Sequence, residues 1–178
     1  MARWIALLRA VNVGGRKFPM AELRQVLADA GYADVETHIQ TGNVALSSPR
    51  KSQAVLESEL ERLLTADRGF SVDVIALTPA ELSRIVADLD EVGPAAYGHY
   101  VSVLSTEPTA EQRAELERPR YEHERVVVRG RGVHLLYGVP YHEAKFSNLG
   151  VEKITGGAAT NRNDRVLRAM AAKWGVQA

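Results

Sequence analysis

The residues best suited to chemistry lie in two short stretches, Asn12-Val13-Gly14-Gly15-Arg16-Lys17 and Gln40-Thr41-Gly42-Asn43. Paired glycines let backbone approach a ligand, and the arginine and lysine that follow supply positive charge. A helix beginning just beyond, at Pro19, would add unpaired amides and a partial positive charge. Together these form a cradle for a phosphate or carboxylate. The spacing matches neither Gly-x-x-x-x-Gly-Lys-Ser/Thr nor the dinucleotide fingerprint. A tight glycine turn with solvated basic residues explains the same pattern without a ligand, and both readings stand. Arg9 lies behind this loop, inside an apolar strand on the face of Ile5 and Leu7, where an unpaired charge would be costly. It is either a ligand clamp or the structural partner of a carboxylate or of strand-end carbonyls.

A second polar cluster comprises Lys145 and Asn148, followed by Thr155-Gly156-Gly157 and then Arg162-Asn163. It falls in a segment with little apolar periodicity, and such segments inside compact domains are often functional. The histidines, at positions 38, 99, 123, 134 and 142, show no short metal-ligand spacing, so each reads as a surface or hairpin residue and no metal site is expected. Glu122-His123-Glu124 reads as a charged strand entry, and Arg129-Gly130-Arg131-Gly132 as a tight hairpin turn. No nucleophile, general base or metal triad declares itself, and no cofactor is expected.

Composition narrows the class. With 178 residues and 46% hydrophobic content the chain can bury a sizeable core. Lysine plus arginine and aspartate plus glutamate both number 22, so the broad positive field of many nucleic-acid binders is missing. The absence of cysteine removes disulfides and thiolate chemistry and fits a reducing, cytoplasmic compartment. Arg9 interrupts the apolar start, so Met1 to Ala10 reads as a strand and not as a leader. No apolar stretch reaches the roughly 20 residues needed to cross a bilayer, which argues against a membrane protein.

These residues must be positioned by an α+β framework. Trp4 to Val11 reads as a strand covered on both faces; Met20, Leu23, Val26, Leu27 and Ala30 repeat at helical spacing after Pro19 and before Gly31. Val35, Thr37 and Ile39 alternate into Thr41-Gly42-Asn43 and out through Val44 and Leu46 as a hairpin. Leu56, Leu60, Leu63 and Leu64 mark a second helix, and Phe70 to Leu77 a fourth strand, giving βαββαβ. Thr78-Pro79-Ala80-Glu81 is a capping box opening a third helix, and Glu91 to Gly98 reads as a linker. The remainder repeats strand, helix (Thr109 with Gln112 as a capping box) and hairpin, then ends in a helix from Asp164. The expected architecture is two related halves, 1–92 and 93–178, sharing one core. The first is a ferredoxin-like βαββαβ unit, and the second an incomplete β-α-β-β repeat with a C-terminal helix. A single mixed sheet of seven strands is the alternative.

Ala6-Leu7-Leu8-Arg9-Ala10-Val11-Asn12-Val13-Gly14-Gly15, Pro19-Met20-Ala21-Glu22-Leu23-Arg24 and Ile39-Gln40-Thr41-Gly42-Asn43-Val44 resemble the segments LLRGINVGG, PMAEL and IQSGNV of the bacterial proteins grouped as domain of unknown function 1697. Glu143 to Asn148 and Thr160 to Asn163 are similar to that family's second signature, with Ala144 where serine is usual. The resemblance implies a bacterial protein without an assigned activity.

Three classes of function follow. The leading expectation is a binding protein for a small anionic or phosphorylated ligand held by Arg9, Asn12, Gly14, Gly15, Arg16, Lys17, Gln40, Gly42 and Asn43, with Lys145, Arg162 and Asn163 as the second cluster. An enzyme acting on a phosphorylated or carboxylate substrate is the alternative, and would need Lys145 or a histidine with a shifted pKa. Weak nucleic-acid binding is the third, disfavoured by the neutral charge balance and by strands without paired stacking aromatics.

Overall fold

Trp4, Ile5, Ala6, Leu7 and Leu8 are all buried, so the strand they form, β1 (Ala2–Leu8), is covered on both faces as its unbroken apolar run requires. In this computed structural model, which describes residues 1–176, β1 lies between β3 (Asn43–Ser48) and β4 (Val74–Leu77) and is antiparallel to both. Strand β2 (Ala33–His38) pairs antiparallel with the other edge of β3, giving the order β2-β3-β1-β4. Helix α1 (Met20–Asp29) joins β1 to β2, and α2 (Gln53–Arg68) joins β3 to β4.

After α3 (Pro79–Val92) the order repeats in full. Strand β5 (Gly98–Leu104), helix α4 (Ala110–Glu117), the hairpin β6 (Glu124–Arg129) and β7 (Gly132–Tyr137), helix α5 (Asn148–Thr155), strand β8 (Ala159–Asn163) and helix α6 (Asp164–Trp174) follow one another. The second sheet runs β6-β7-β5-β8, so β5 stands where β1 stands and β8 where β4 stands. The strands form two four-stranded sheets, which sets aside the alternative of one mixed sheet, and one expectation is corrected: the second repeat is complete. Its fourth strand, Ala-Thr-Asn-Arg-Asn, is an edge strand bonded only to β5 and has no apolar alternation by which to be read.

The chain divides into two compact units, Met1–Leu82 with the segment from Trp174, and Ser83–Lys173. In the first, Trp4, Ala6 and Leu8 of β1 cluster with Leu23 and Leu27 of α1 and Leu56, Leu60 and Leu64 of α2. In the second, Leu104, Val133, Leu135 and Tyr137 cluster with Leu116 of α4 and Val151 of α5. Each such aliphatic side chain contributes about 1.5–3 kcal/mol by leaving water. Among the described residues no helix is long and apolar enough to cross a membrane.

Helix ends follow local chemistry. The Thr78 hydroxyl accepts from the Glu81 amide while the Glu81 carboxylate accepts from the Thr78 amide, and Thr109 with Gln112 forms the same reciprocal box. Helix α4 has only eight residues, too few to hold by itself, so it depends on this box together with the packing of Leu116. Thr109→Ala is expected to cost about 1 kcal/mol, measurable by urea denaturation as a lowered midpoint with unchanged slope.

Candidate functional site

Strands β1 and β2 are both antiparallel to β3 and therefore parallel to each other, so the loops that leave them emerge at one end of the first sheet. The loops are bonded together there. Asn12 Nδ2 donates to the Gln40 carbonyl at 2.6 Å and to the Phe18 carbonyl at 2.9 Å, while Asn12 Oδ1 accepts from the Phe18 amide at 2.7 Å. The Leu8 amide donates to the Gly42 carbonyl. Within the loop, Asn12, Arg16 and Lys17 amides donate to Arg16, Val13 and Gly15 carbonyls.

The backbone of this junction is unusual. Gly14, Gly15 and Gly42 all have positive φ, at 55°, 83° and 76°, as their turns require. Among the described residues four that are not glycine share that sign, and three of them, Ala10, Asn12 and Ile39, belong to these same two loops. Positive φ is disfavoured for any residue with a Cβ, and most of all for a β-branched one such as Ile39.

The expected binding residues separate into two groups. Gly14, Gly15, Arg16, Lys17 and Gln40 are exposed. Asn12, exposed as well, joins the buried Gly42 and Asn43 in building the junction. Asn43 is fully buried, its Nδ2 donating to the His38 carbonyl and to Thr41 Oγ1, so it closes its own turn. Arg9 lies just past the end of β1, its guanidinium 3.9 Å from the Asp73 carboxylate and its amide bonded to the Asp73 carbonyl. The Arg16 guanidinium lies 5.7 Å from the centre of the Phe70 ring. Helix α1 has no side-chain cap, and Glu22 in its first turn is ion-paired with Arg68 at 2.7 Å.

The second cluster lies in the second unit and is dispersed. Lys145 is exposed, its amide held by Glu124 and its Nζ 5.5 Å from the Tyr121 ring centre. Arg162 is buried in β8, donating to Thr160 Oγ1 and the Asn161 carbonyl, and burial lowers its pKa to about 10. Asn163 caps α6, its Oδ1 accepting from the Val166 amide, and lines a cleft of about 630 Å³.

Two buried groups escaped the sequence reading. His99 is not a surface residue, and His134, although it lies on the hairpin strand β7 as expected, is not exposed: both are buried, with His99 Nε2 2.9 Å from His134 Nδ1. Burial, then the neighbouring His99 and Arg129, push the His134 pKa down to about 3. Burial also lowers that of His99, against the pull of Asp164. Their meeting depends on β5 pairing with β7 across 35 residues, and no local pattern announces it.

Two βαββαβ units and a strained loop junction thus define an α+β protein with an internally repeated topology. Residues 1–134 match the family described as "Protein of unknown function (DUF1697)", and the chain belongs to that family. The matched span takes in the whole junction and ends before the second cluster. Among solved structures, the conserved bacterial protein SP0830 from Streptococcus pneumoniae is similar over 98% of each chain, with 24% identity and a TM-score of 0.70, a likeness of fold. No curated protein gives a significant match.

Proposed function

We propose that the protein is a cytoplasmic binding protein for a small anionic or phosphorylated ligand, held at the exposed loop Gly14-Gly15-Arg16-Lys17 beside Gln40. The observation that carries this reading is the concentration of backbone strain: among the described residues, three of the four non-glycine residues with positive φ sit in the two loops that meet there. Each such residue costs on the order of 1–3 kcal/mol, and strain of this kind gathers at sites that bind or react. The Asn12 side chain pins loop to turn, so the exposed glycines and basic residues are held in place before any ligand arrives. Pre-organisation of that sort reduces the ordering that binding would otherwise require. We read each βαββαβ unit, with its strand order 2-3-1-4, as ferredoxin-like, an arrangement that presents loops at a sheet end to solvent.

A thermal-shift screen over inorganic phosphate, sugar phosphates and nucleotides tests the proposal. A ligand at about a hundred times its dissociation constant stabilises by about 2.7 kcal/mol. The double variant Arg16→Ala/Lys17→Ala is expected to abolish that stabilisation. Both positions are exposed, so the ligand-free melting free energy should move by no more than about 0.5 kcal/mol. Ligand shifts that persist undiminished in the double variant would place the binding elsewhere.

A further inference from the structure

The cleft of about 630 Å³ in the second unit lies where the end of α3 and the segment Gly93–Gly98 meet the start of β5 and the start of α6. Its size is that of a small-molecule site. Four features of its wall bear on what it would hold. Tyr97 is 67% exposed, an aromatic face left open to solvent beside the cleft. Tyr100 is fixed by stacking on Tyr141 at 4.6 Å between ring centres. The charges balance: Arg165 and Arg168 oppose Asp90 and Asp164, and Arg168 is already bonded to Asp90 at 2.7 Å. His99, 7% exposed, forms part of the wall from within the sheet.

The histidine pair fixes which hydrogen bond His99 can offer. Among the described residues His134 Nε2 is buried without a partner. A buried N–H lacking an acceptor is the rarer defect, which puts the shared proton on His134 Nδ1 and makes His99 Nε2 its acceptor. In the neutral ring the proton of His99 then resides on Nδ1, a donor. Beside it the wall carries the amide of Asn163 and the guanidinium of Arg165 as donors, and the carboxylate of Asp164 as an acceptor.

We propose that this cleft is a second binding site, independent of the glycine loop, for an uncharged hydroxyl-rich ligand of the carbohydrate class, with one ring face on Tyr97 and a hydroxyl accepting from His99. Each sugar hydroxyl both donates and accepts, so it needs mixed planar partners such as Asp, Asn, Arg and His. An anion would meet Asp90 and Asp164 as readily as the arginines, and a cation the reverse. The balanced charge favours a neutral ligand.

The test is an NMR titration of the full chain with glucose, galactose, mannose and maltose, and separately with inorganic phosphate, following the His99 and Tyr97 ring resonances. A saturable shift with at least one sugar and none with phosphate is expected. Tyr97→Ala and Arg165→Ala, both at exposed positions, should keep the fold and weaken binding about tenfold or more. His99→Gln, whose amide can replace Nε2 opposite His134 but offers nothing at Nδ1, should abolish it. Arg16→Ala/Lys17→Ala should leave sugar binding unchanged, so failure here and failure of the glycine-loop reading are distinguishable. The proposal is overturned if no sugar gives a saturable shift, if phosphate alone shifts these resonances, or if sugar binding survives both Tyr97→Ala and His99→Gln.

Discussion

Acidifying the protein from pH 7 toward pH 4 is expected to destabilise the second unit by several kcal/mol, with His134 as a principal cause. In the folded protein His134 is fully buried and its pKa is pushed down to about 3 from an ordinary value of 6.5, by burial first and then by His99 and Arg129. Above pH 6.5 the ring is neutral folded or unfolded, and its titration has no effect. Below pH 6.5 the unfolded chain takes up a proton that the folded chain refuses, so stability falls with pH until the folded ring also titrates near pH 3. At about 1.36 kcal/mol per unit, the whole loss is bounded at roughly 5 kcal/mol. His99, lowered in the same direction, adds to it. Urea midpoints measured between pH 7 and pH 4 should fall steeply in the parent protein and more gently in His134→Asn, whose side chain can still bond His99 but does not titrate. An identical acid slope in the variant would assign the loss to carboxylates elsewhere.

That buried pair marks where sequence reasoning stops. The first repeat was legible because its signals are local: an unbroken apolar run for β1, helical spacing after Pro19, alternation on either side of Thr41-Gly42-Asn43. Even a non-local feature, the meeting of the loops after β1 and β2, followed from them, because the right-handed crossover makes those strands parallel. Strand β8 carried no such signal. Its asparagines and arginine read as loop until β5 supplies a partner for its backbone.

Residue roles were harder to read than positions, since one side chain can serve a ligand or the chain itself. Asn43 and Arg162 look like binding residues in sequence, yet one is buried closing a turn and the other is buried in a strand. Asn12 has its side chain committed to Phe18 and Gln40. What distinguishes Arg16, Lys17 and Gln40 from Asn43 and Arg162 is exposure, which only the packed fold assigns. Polar side chains beside a strained turn therefore divide between those that hold the turn and those it presents, and residue type does not say which.

Replacing Gly42 with alanine is expected to be the most damaging of the small substitutions at this junction, by about 2–4 kcal/mol. Two separate penalties combine. Gly42 has φ 76°, and an alanine there is strained by roughly 1 kcal/mol or more wherever it sits. The added Cβ would also lie 2.6 Å from Val11 Cγ2 and 2.7 Å from Leu8 Cβ, inside the contact distance of any real carbon pair. Leu8 Cβ belongs to the buried end of β1 and cannot swing away as a side-chain tip would, so loop and strand must part. Such overpacking costs typically 1–3 kcal/mol. Gly14→Ala supplies the control: it shares the positive φ, at 55°, but its Cβ would meet nothing within 4 Å, so only the conformational penalty remains. For a chain of this size the Gly42 variant should melt roughly 5–15 °C below the parent and clearly below the Gly14 variant. Because Gly42 touches the strand carrying Leu8 while Gly14 only borders solvent, the ligand response should also divide. In Gly14→Ala the fold persists and binding at the loop weakens; in Gly42→Ala both decline together. Equal melting temperatures for the two alanine variants would mean that the turn can move off β1 freely, and the junction would then not be the rigid platform on which the glycine-loop reading depends.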